Sequence, residues 1–291
     1  MNDIDLVIPM VFPADPEWQR EYAAATGRPE ATANVRYRSW GTEELLIRCC
    51  YKYMPWLHRI HILLASESQV QPWMERDAKL HIVLHRDFIP AHLLPTFNVN
   101  TIEMFLYNIP FLLEHFIYSN DDFFPLSPLE TTDFFRDGLP CQHHDEEPYP
   151  SAPNIFCRFV KSGLDMVAAD WGRQFPTTWL RGGHSMQPML LSTVQEVCCR
   201  HADRISQSFT VKRTDRNFNQ YIFPFWQHLS GRYVDHVPRR QLIEWGTPIE
   251  SLPRIIQDPE AGIVCFNDND AVTDWLRRAE IIRNEITLKL K

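Results

Sequence analysis

No run in this sequence reaches the roughly 18 consecutive apolar residues that a membrane-spanning helix needs. The opening MNDIDLVIPM also has no basic stretch ahead of an apolar one. A secretory leader and a membrane span are therefore not expected, and the chain is read as cytoplasmic. No C-x-x-C pair occurs among the seven cysteines, which excludes a zinc knuckle and a thioredoxin-like redox pair. They fall as Cys49-Cys50, Cys141, Cys157, Cys198-Cys199 and Cys265. Both adjacent pairs lie in segments with helical spacing, where a thiol serves as a small buried hydrophobe. An odd count fits a reducing compartment. Positive charge is also short, with 29 Lys and Arg against 37 Asp and Glu, a net charge of -8. General nucleic-acid binding, which needs clustered cations to neutralise phosphates, is excluded. A small phosphorylated substrate is not, because a few local cations hold it. Neither an internal repeat nor a low-complexity linker is present.

What is present is an ordinary core composition, 44% hydrophobic and 23% charged over 291 residues, enough for one large α/β domain or two small ones. Twenty-two prolines and nine tryptophans imply many loops packed by large rings. Short apolar runs at 5–11, 59–65, 80–84 and 115–119 read as buried strands. Helical spacing predicts helices over 17–25, 42–53, with Thr42 as N-cap, and 100–107. Strands alternating with helices imply an open, mostly parallel sheet, whose ligands bind beyond the carboxyl ends of the strands. Residues 10–15 and 120–122 would lie there. Segments 155–171, 188–204 and 215–229 read as helices. A strand over 262–266 precedes a last helix, with Val272, Trp275 and Leu276 on one side. The expected plan is one catalytic domain over 1–291. Residues 1–135 and 258–291 would form the sheet-containing core, with a mainly helical part over 150–235 and a returning C-terminal strand closing the sheet.

Two strands end in nearly the same polar cluster, Asn120-Asp121-Asp122 and Asn267-Asp268-Asn269-Asp270. Adjacent carboxylates at a strand end suit a hard divalent cation, Mg²⁺ or Mn²⁺, bridging a pyrophosphate. They also suit a plain turn, since Asn and Asp bond their own backbone. As metal ligands the candidates are Asp121, Asp122 and Asp268. Arg181-Gly182-Gly183-His184 combines glycines that let a backbone approach a ligand with a side chain of the type that exchanges protons near neutrality. Lys212-Arg213-Thr214-Asp215-Arg216 is a cationic step whose arginines suit a phosphoryl group, or a solvated turn. Arg36-Tyr37-Arg38-Ser39 either grips phosphate or base, or is a polar loop. His143-His144 with Asp145, Glu146 and Glu147 reads as a solvated face in a proline-rich loop. The residues alone therefore give an α/β protein with a nucleotide or phosphate site.

The ordered run of motifs resembles the Stealth family of bacterial capsule hexose-1-phosphate transferases and the animal enzyme that makes the mannose-6-phosphate tag. The first block is IDLVIPMVFPADPEW, with I-P-M-V where the family has Y-T-W-V. The second runs from RYRSWGTEELLIRCCYKYMPWLHRIHILLAS through LPTFNVNTIE to HFIYSNDDFFPLSPL. The third is RGGHSMQPM followed by SFTVKRTDRNFNQYIF, and the fourth is CFNDND. His184 is followed by Ser-Met-Gln-Pro rather than the commoner Met-Pro.

The resemblance implies a Rossmann-like, glycosyltransferase-A-like sheet with a helical insertion in the second half. It implies transfer of hexose-1-phosphate, or its N-acetylhexosamine counterpart, from a UDP-sugar to a hydroxyl of a glycan acceptor with release of UMP, in capsule or exopolysaccharide synthesis. A peripheral association with a membrane capsule-assembly complex would follow. By position, the resemblance makes His184 the general base, Arg213 the phosphate-binding arginine, and Asp121 or Asp122 the acidic pair. Asp122 joins the catalytic set, while Asp15, Arg38, Glu103, Asn120, Asn267 and Asn269 would bind substrate. Two alternatives stand beside this reading: a metal-dependent glycosyltransferase releasing UDP, and an inactive carbohydrate-binding scaffold.

Overall fold

The computed structural model describes residues 3–27, 35, 37–75 and 77–291; Arg36 of the second motif lies outside the described residues. In chain order the strands are β1 (Ile4–Pro9), β2 (Arg59–Leu64), β3 (Leu80–Leu84), β4 (His115–Tyr118), β5 (Phe123–Pro125), β6 (Phe135–Arg136) and β7 (Leu139–Gln142). They continue with β8 (His144–Pro148), β9 (Thr178–Gly182), β10 (Gln187–Leu190), β11 (Val234–Asp235), β12 (Arg240–Ile243) and β13 (Ile263–Phe266).

The main sheet has the order β10-β4-β1-β2-β3. Its first four strands in sequence run parallel and β10 runs antiparallel along the edge. The chain steps outward from β1 to β3, then returns to the other side of β1 as β4. The strand order therefore reverses between β1 and β4, which opens a crevice at their carboxyl ends. The expected mixed α/β fold with a mostly parallel sheet is what the chain adopts.

The central strands are mostly apolar on both faces because both faces of the sheet are covered. In β1, Ile4, Leu6 and Ile8 point into one core with helix Glu43–Tyr53, β13 and helix Trp275–Leu290. Val7 points into the other, among residues of helices Ile155–Ala168, Leu191–Arg200 and Ile222–Leu229. Fully buried Phe116, Phe124, Phe159 and Phe223 anchor these two layers, each contributing about 1.5–3 kcal/mol by leaving water. The lone acid of β1, Asp5, sits at the amino end of the strand. It is held by the ring nitrogens of His58 and His61, each at 2.9 Å, and by the Leu113 N–H at 3.1 Å.

Most strand expectations match within a residue or two, and the departures have physical causes. Strand 263–266 does not close the main sheet. It pairs antiparallel with β5 and parallel with β12 in a small sheet of its own. Gly262 admits this approach: its φ is 69°, and a Cβ there would stand 1.9 Å from the Arg239 carbonyl oxygen. The segment expected as one helix over 188–204 begins as β10, and helix Leu191–Arg200 starts only after it. In the last helix the buried side chains are Arg278, Ala279, Ile282 and Ile286, while Leu276 is exposed. The acidic HHDEE stretch is not a loop but β8, paired with β9. All seven cysteines are free thiols. Among the described residues no helix is long and apolar enough to cross a membrane.

Candidate functional site

Beyond the carboxyl ends of β1 and β4 lies a cleft of about 1410 Å³. Its walls come from segments far apart in sequence, including Pro9 to Val11, Arg38 to Trp40, Asn120 to Asp122, Gly182 to Ser185, Lys212-Arg213 and Phe266 to Asp268. Of the predicted residues, Arg38, Glu103, Asn120, Asp121, Asp122, His184, Arg213, Asn267 and Asp268 line it. Asp15 and Asn269 do not. Asp15 caps helix Pro16–Thr26 by accepting from the Glu17 N–H at 3.0 Å, and it also accepts from Gln69 Nε2 at 2.8 Å. Asn269 closes its own turn, its Oδ1 accepting from the Ala271 N–H at 2.8 Å.

The β4 ladder reaches one residue past the strand, with the Ser119 N–H donating to the Val7 carbonyl at 2.9 Å. Asn120, Asp121 and Asp122 then turn across the cleft floor. Backbone pairing brings the fourth motif beside them, since the Phe266 N–H donates to the Asp122 carbonyl at 3.0 Å. Burial above all, then the charges of Asp122 and Glu43, push the Asp121 carboxyl up to about 7. Burial raises the Asp122 carboxyl as well, against the pull of nearby His184 and of the Cys265 thiol. Asp122 Oδ1 is buried and has no hydrogen-bond partner.

Asp268 has a different environment. Arg38 pairs with both of its carboxylate oxygens, and Trp40 Nε1 donates to Oδ2 at 2.9 Å. The Arg38 guanidinium also reaches the Val272 carbonyl at 3.2 Å and lies over the Trp275 ring, 5.1 Å from its centroid. Arg38 and Asp268 therefore brace each other at the cleft wall.

Glu103 sits at the inner end of the cleft. Its carboxylate accepts from Tyr118 Oη at 2.9 Å and from the Gln220 N–H at 2.8 Å. Burial pushes it up to about 7 against both bonds and the Arg213 charge. The Arg213 guanidinium lies over the Phe159 ring at 5.9 Å. His184 rests against the Phe123 ring, with centroids 4.9 Å apart, and its Nδ1 is 3.5 Å from Tyr221 Oη.

Sequence reasoning missed three neighbours. Arg240 lies so tightly under Gly183 that a Cβ there would stand 2.0 Å from its Nη1, so residue 183 must be glycine while the arginine stays. Tyr221 faces His184, and Cys265 faces Asp122 Oδ2 with its Sγ at 3.5 Å. Nothing local flags Arg240, while Tyr221 sits inside the quoted SFTVKRTDRNFNQYIF block without a role assigned to it. Cys265 sits inside the quoted CFNDND motif, at the end of a predicted strand, without a role assigned to it.

Residues 36–142 match the model of Stealth protein CR2, conserved region 2. Most of the chain aligns with the receptor polysaccharide phosphotransferase WefC of Streptococcus oralis, at 27% identity over 94% of this chain and 93% of that protein. Residues 36–142 thus carry a Stealth-family region. The chain is similarly 26% identical to the capsular polysaccharide phosphotransferase WcwK of Streptococcus pneumoniae, over 92% of this chain and 91% of that one. It is 36% identical to the exopolysaccharide phosphotransferase cps2G of Lactiplantibacillus plantarum over 47% of its length and 41% of that relative. The matched region supplies β2 to β4 together with Glu103 and the Asn120-Asp121-Asp122 turn.

Proposed function

We propose that this chain is a phosphotransferase of polysaccharide synthesis. It moves hexose-1-phosphate or N-acetylhexosamine-1-phosphate from a UDP-sugar to a hydroxyl of a glycan, with release of UMP. One observation carries the reading: four motifs distant in sequence converge on a single cleft at the strand-order reversal, with cations, acids and a histidine in reach of one substrate. The names of the full-length relatives, phosphotransferases of capsular and receptor polysaccharides, support the class.

Phosphoryl transfer asks a protein mainly for positioning and charge neutralisation. The donor enters along β1 and β4. Its uridine lies toward the aromatic cluster of Trp18, Tyr22, Tyr37 and Phe97, whose rings stack edge to face at 5.1–5.4 Å. Its pyrophosphate faces Arg213 and Lys212. The acceptor lies on the opposite wall, where Phe156 is 37% exposed, packs on Tyr221 and offers an apolar face to a sugar ring. His184 stands next to Tyr221 and takes the proton from the attacking hydroxyl. The new bond forms between that oxygen and the sugar-bearing β-phosphorus. The bond from this phosphorus to the bridging oxygen breaks, and UMP leaves with the electron pair.

A hard divalent cation fits Asp121 and Asp122, two adjacent acids of which one has an unpartnered buried oxygen. Mg²⁺ or Mn²⁺ held there would neutralise pyrophosphate charge, with substrate oxygens completing its ligands. Asp268 is already committed to Arg38 and Trp40.

A panel of UDP-sugars with capsular oligosaccharides as acceptors tests the reading through the nucleotide released. UMP is expected. UDP would instead make the chain a glycosyltransferase, and no turnover with any donor would favour a binding scaffold.

A further inference from the structure

Beside the hard-cation pair, the floor of the cleft holds a second and chemically different set of ligand atoms. A carboxylate oxygen of Asp122, a ring nitrogen of His184 and the Sγ of Cys265 all lie within 4.8 Å of one another. Among the described residues no other group of three His, Cys, Asp or Glu side chains converges in this way. Each ligand comes from a different element and is held in place. Asp122 follows β4, His184 follows β9 and is packed on Phe123, and Cys265 lies in β13 with its thiol on Asp122 Oδ2 at 3.5 Å. The other oxygen, Asp122 Oδ1, is buried and unpartnered.

One oxygen, one nitrogen and one sulfur are the wrong kit for Mg²⁺, which takes oxygen ligands. They match Zn²⁺, whose catalytic sites use three such side chains at about 2.0–2.3 Å and leave a fourth position open. Small side-chain rotations would bring the three atoms to those distances.

We infer that Asp122, His184 and Cys265 form a site for a thiophilic divalent cation, Zn²⁺ in the first instance, and that its occupation silences the enzyme. The thiol gives up its proton to solvent as the metal binds. The cation takes the lone pair that His184 needs in order to accept the acceptor's proton. It also takes Asp122 from the hard-cation pair, so the two ions exclude each other. Silencing rests on the proposed transfer reaction; metal binding does not.

The probe is Co²⁺ added to the metal-free full chain, read by absorption. A thiolate-to-cobalt charge-transfer band is expected at one ion per chain, bleached by Zn²⁺ and unaffected by Mg²⁺ at equal concentration. Cys265→Ser should abolish the band, whereas serine at the exposed Cys199 should leave it. If Cys265→Ser fails to fold, as judged by its thermal transition, His184→Asn serves instead. Loss of even an outer partner of a metal ligand costs about 10–100-fold, so either variant should weaken Zn²⁺ binding at least about tenfold. In the transfer assay, Zn²⁺ should stop UMP release by the unmodified chain.

Absence of the band, or its survival in Cys265→Ser, overturns the site. Full turnover with Zn²⁺ bound overturns the silencing. If no donor is ever turned over, the proposed function fails, and the cobalt band still decides the site.

Discussion

The turns Asn120-Asp121-Asp122 and Asn267-Asp268-Asn269-Asp270 look alike in sequence, and each follows a buried strand. Their carboxylates have opposite circumstances. Asp268 is neutralised by Arg38 and bonded by Trp40, and Asn269 and exposed Asp270 belong to a self-closing turn. Asp121 and Asp122 are buried next to each other, and burial above all raises both carboxyls, against the pull of His184 on Asp122. The same residue types are therefore a brace in one place and an unsatisfied electrostatic demand in the other. A structural ion pair completes itself within the fold, whereas a functional one is completed by what binds.

The largest expected effect separates the two turns by activity. Asp122→Asn should lower UMP release by about 10²–10³, as removal of a preorganised electrostatic group does, with Tm unchanged or higher because an uncompensated buried charge is gone. His184→Ala should cost about 10²–10⁴ in turnover while a bound UDP-sugar still protects the chain in thermal shift. Substantial activity in either variant would remove that residue from its role.

The next effect is on stability. Asp268→Ala strands Arg38, whose side chain is 15% exposed, and should cost roughly 2–4 kcal/mol in urea unfolding, since breaking a buried pair costs about 3–5. A loss no greater than that of Asn269→Ala would erase the distinction between the two turns.

Smaller again is a pH effect at Glu103. In the folded chain this carboxyl keeps its proton up to about 7, against 4.5 for an ordinary glutamate. Between those values the folded chain binds a proton that the unfolded chain has lost. The stabilisation is therefore complete below about 4.5 and disappears as pH climbs through about 7. Glu103→Gln retains an oxygen for the Gln220 N–H and removes this slope. Subtracting its Tm-against-pH curve from that of the unmodified chain should isolate the decline. Parallel curves would mean that Glu103 is ionised throughout. Smallest is Asn269→Ala, which should change urea stability by about 0.5 kcal/mol or less and leave turnover intact.

The parts of this molecule that were legible from sequence share a physical property. β1 to β4 are apolar on both faces, so their runs stand out without any tertiary knowledge. The first Asp cluster was legible because it directly follows such a run. β8 and β12 were not, because edge strands carry charge and look like loops, as HHDEE and RRQLI do. Pro188 misdirected the reading of β10, since proline is tolerated on a sheet edge. Within the site, the roles of Asp268 and Asp122 were indistinguishable, because the difference lies in Arg38, a partner 230 positions away. Asp15 sits at the ligand side in sequence order, yet its carboxylate serves a helix start.

The pairing of β5 with β13 also has a consequence for how the chain is made. Cys265 reaches Asp122 across 143 positions of sequence, so a ribosome exposes Phe123 and Phe124 long before their partner strand exists. Until then that segment presents an aromatic strand with an open edge, the kind of surface that pairs with other chains or attracts chaperones. The cleft is likewise incomplete throughout this interval. The nascent protein therefore presents this open edge before its cleft is complete; β13 covers the edge, and the residues that follow it, Asn267, Asp268 and Ile282, finish the cleft wall.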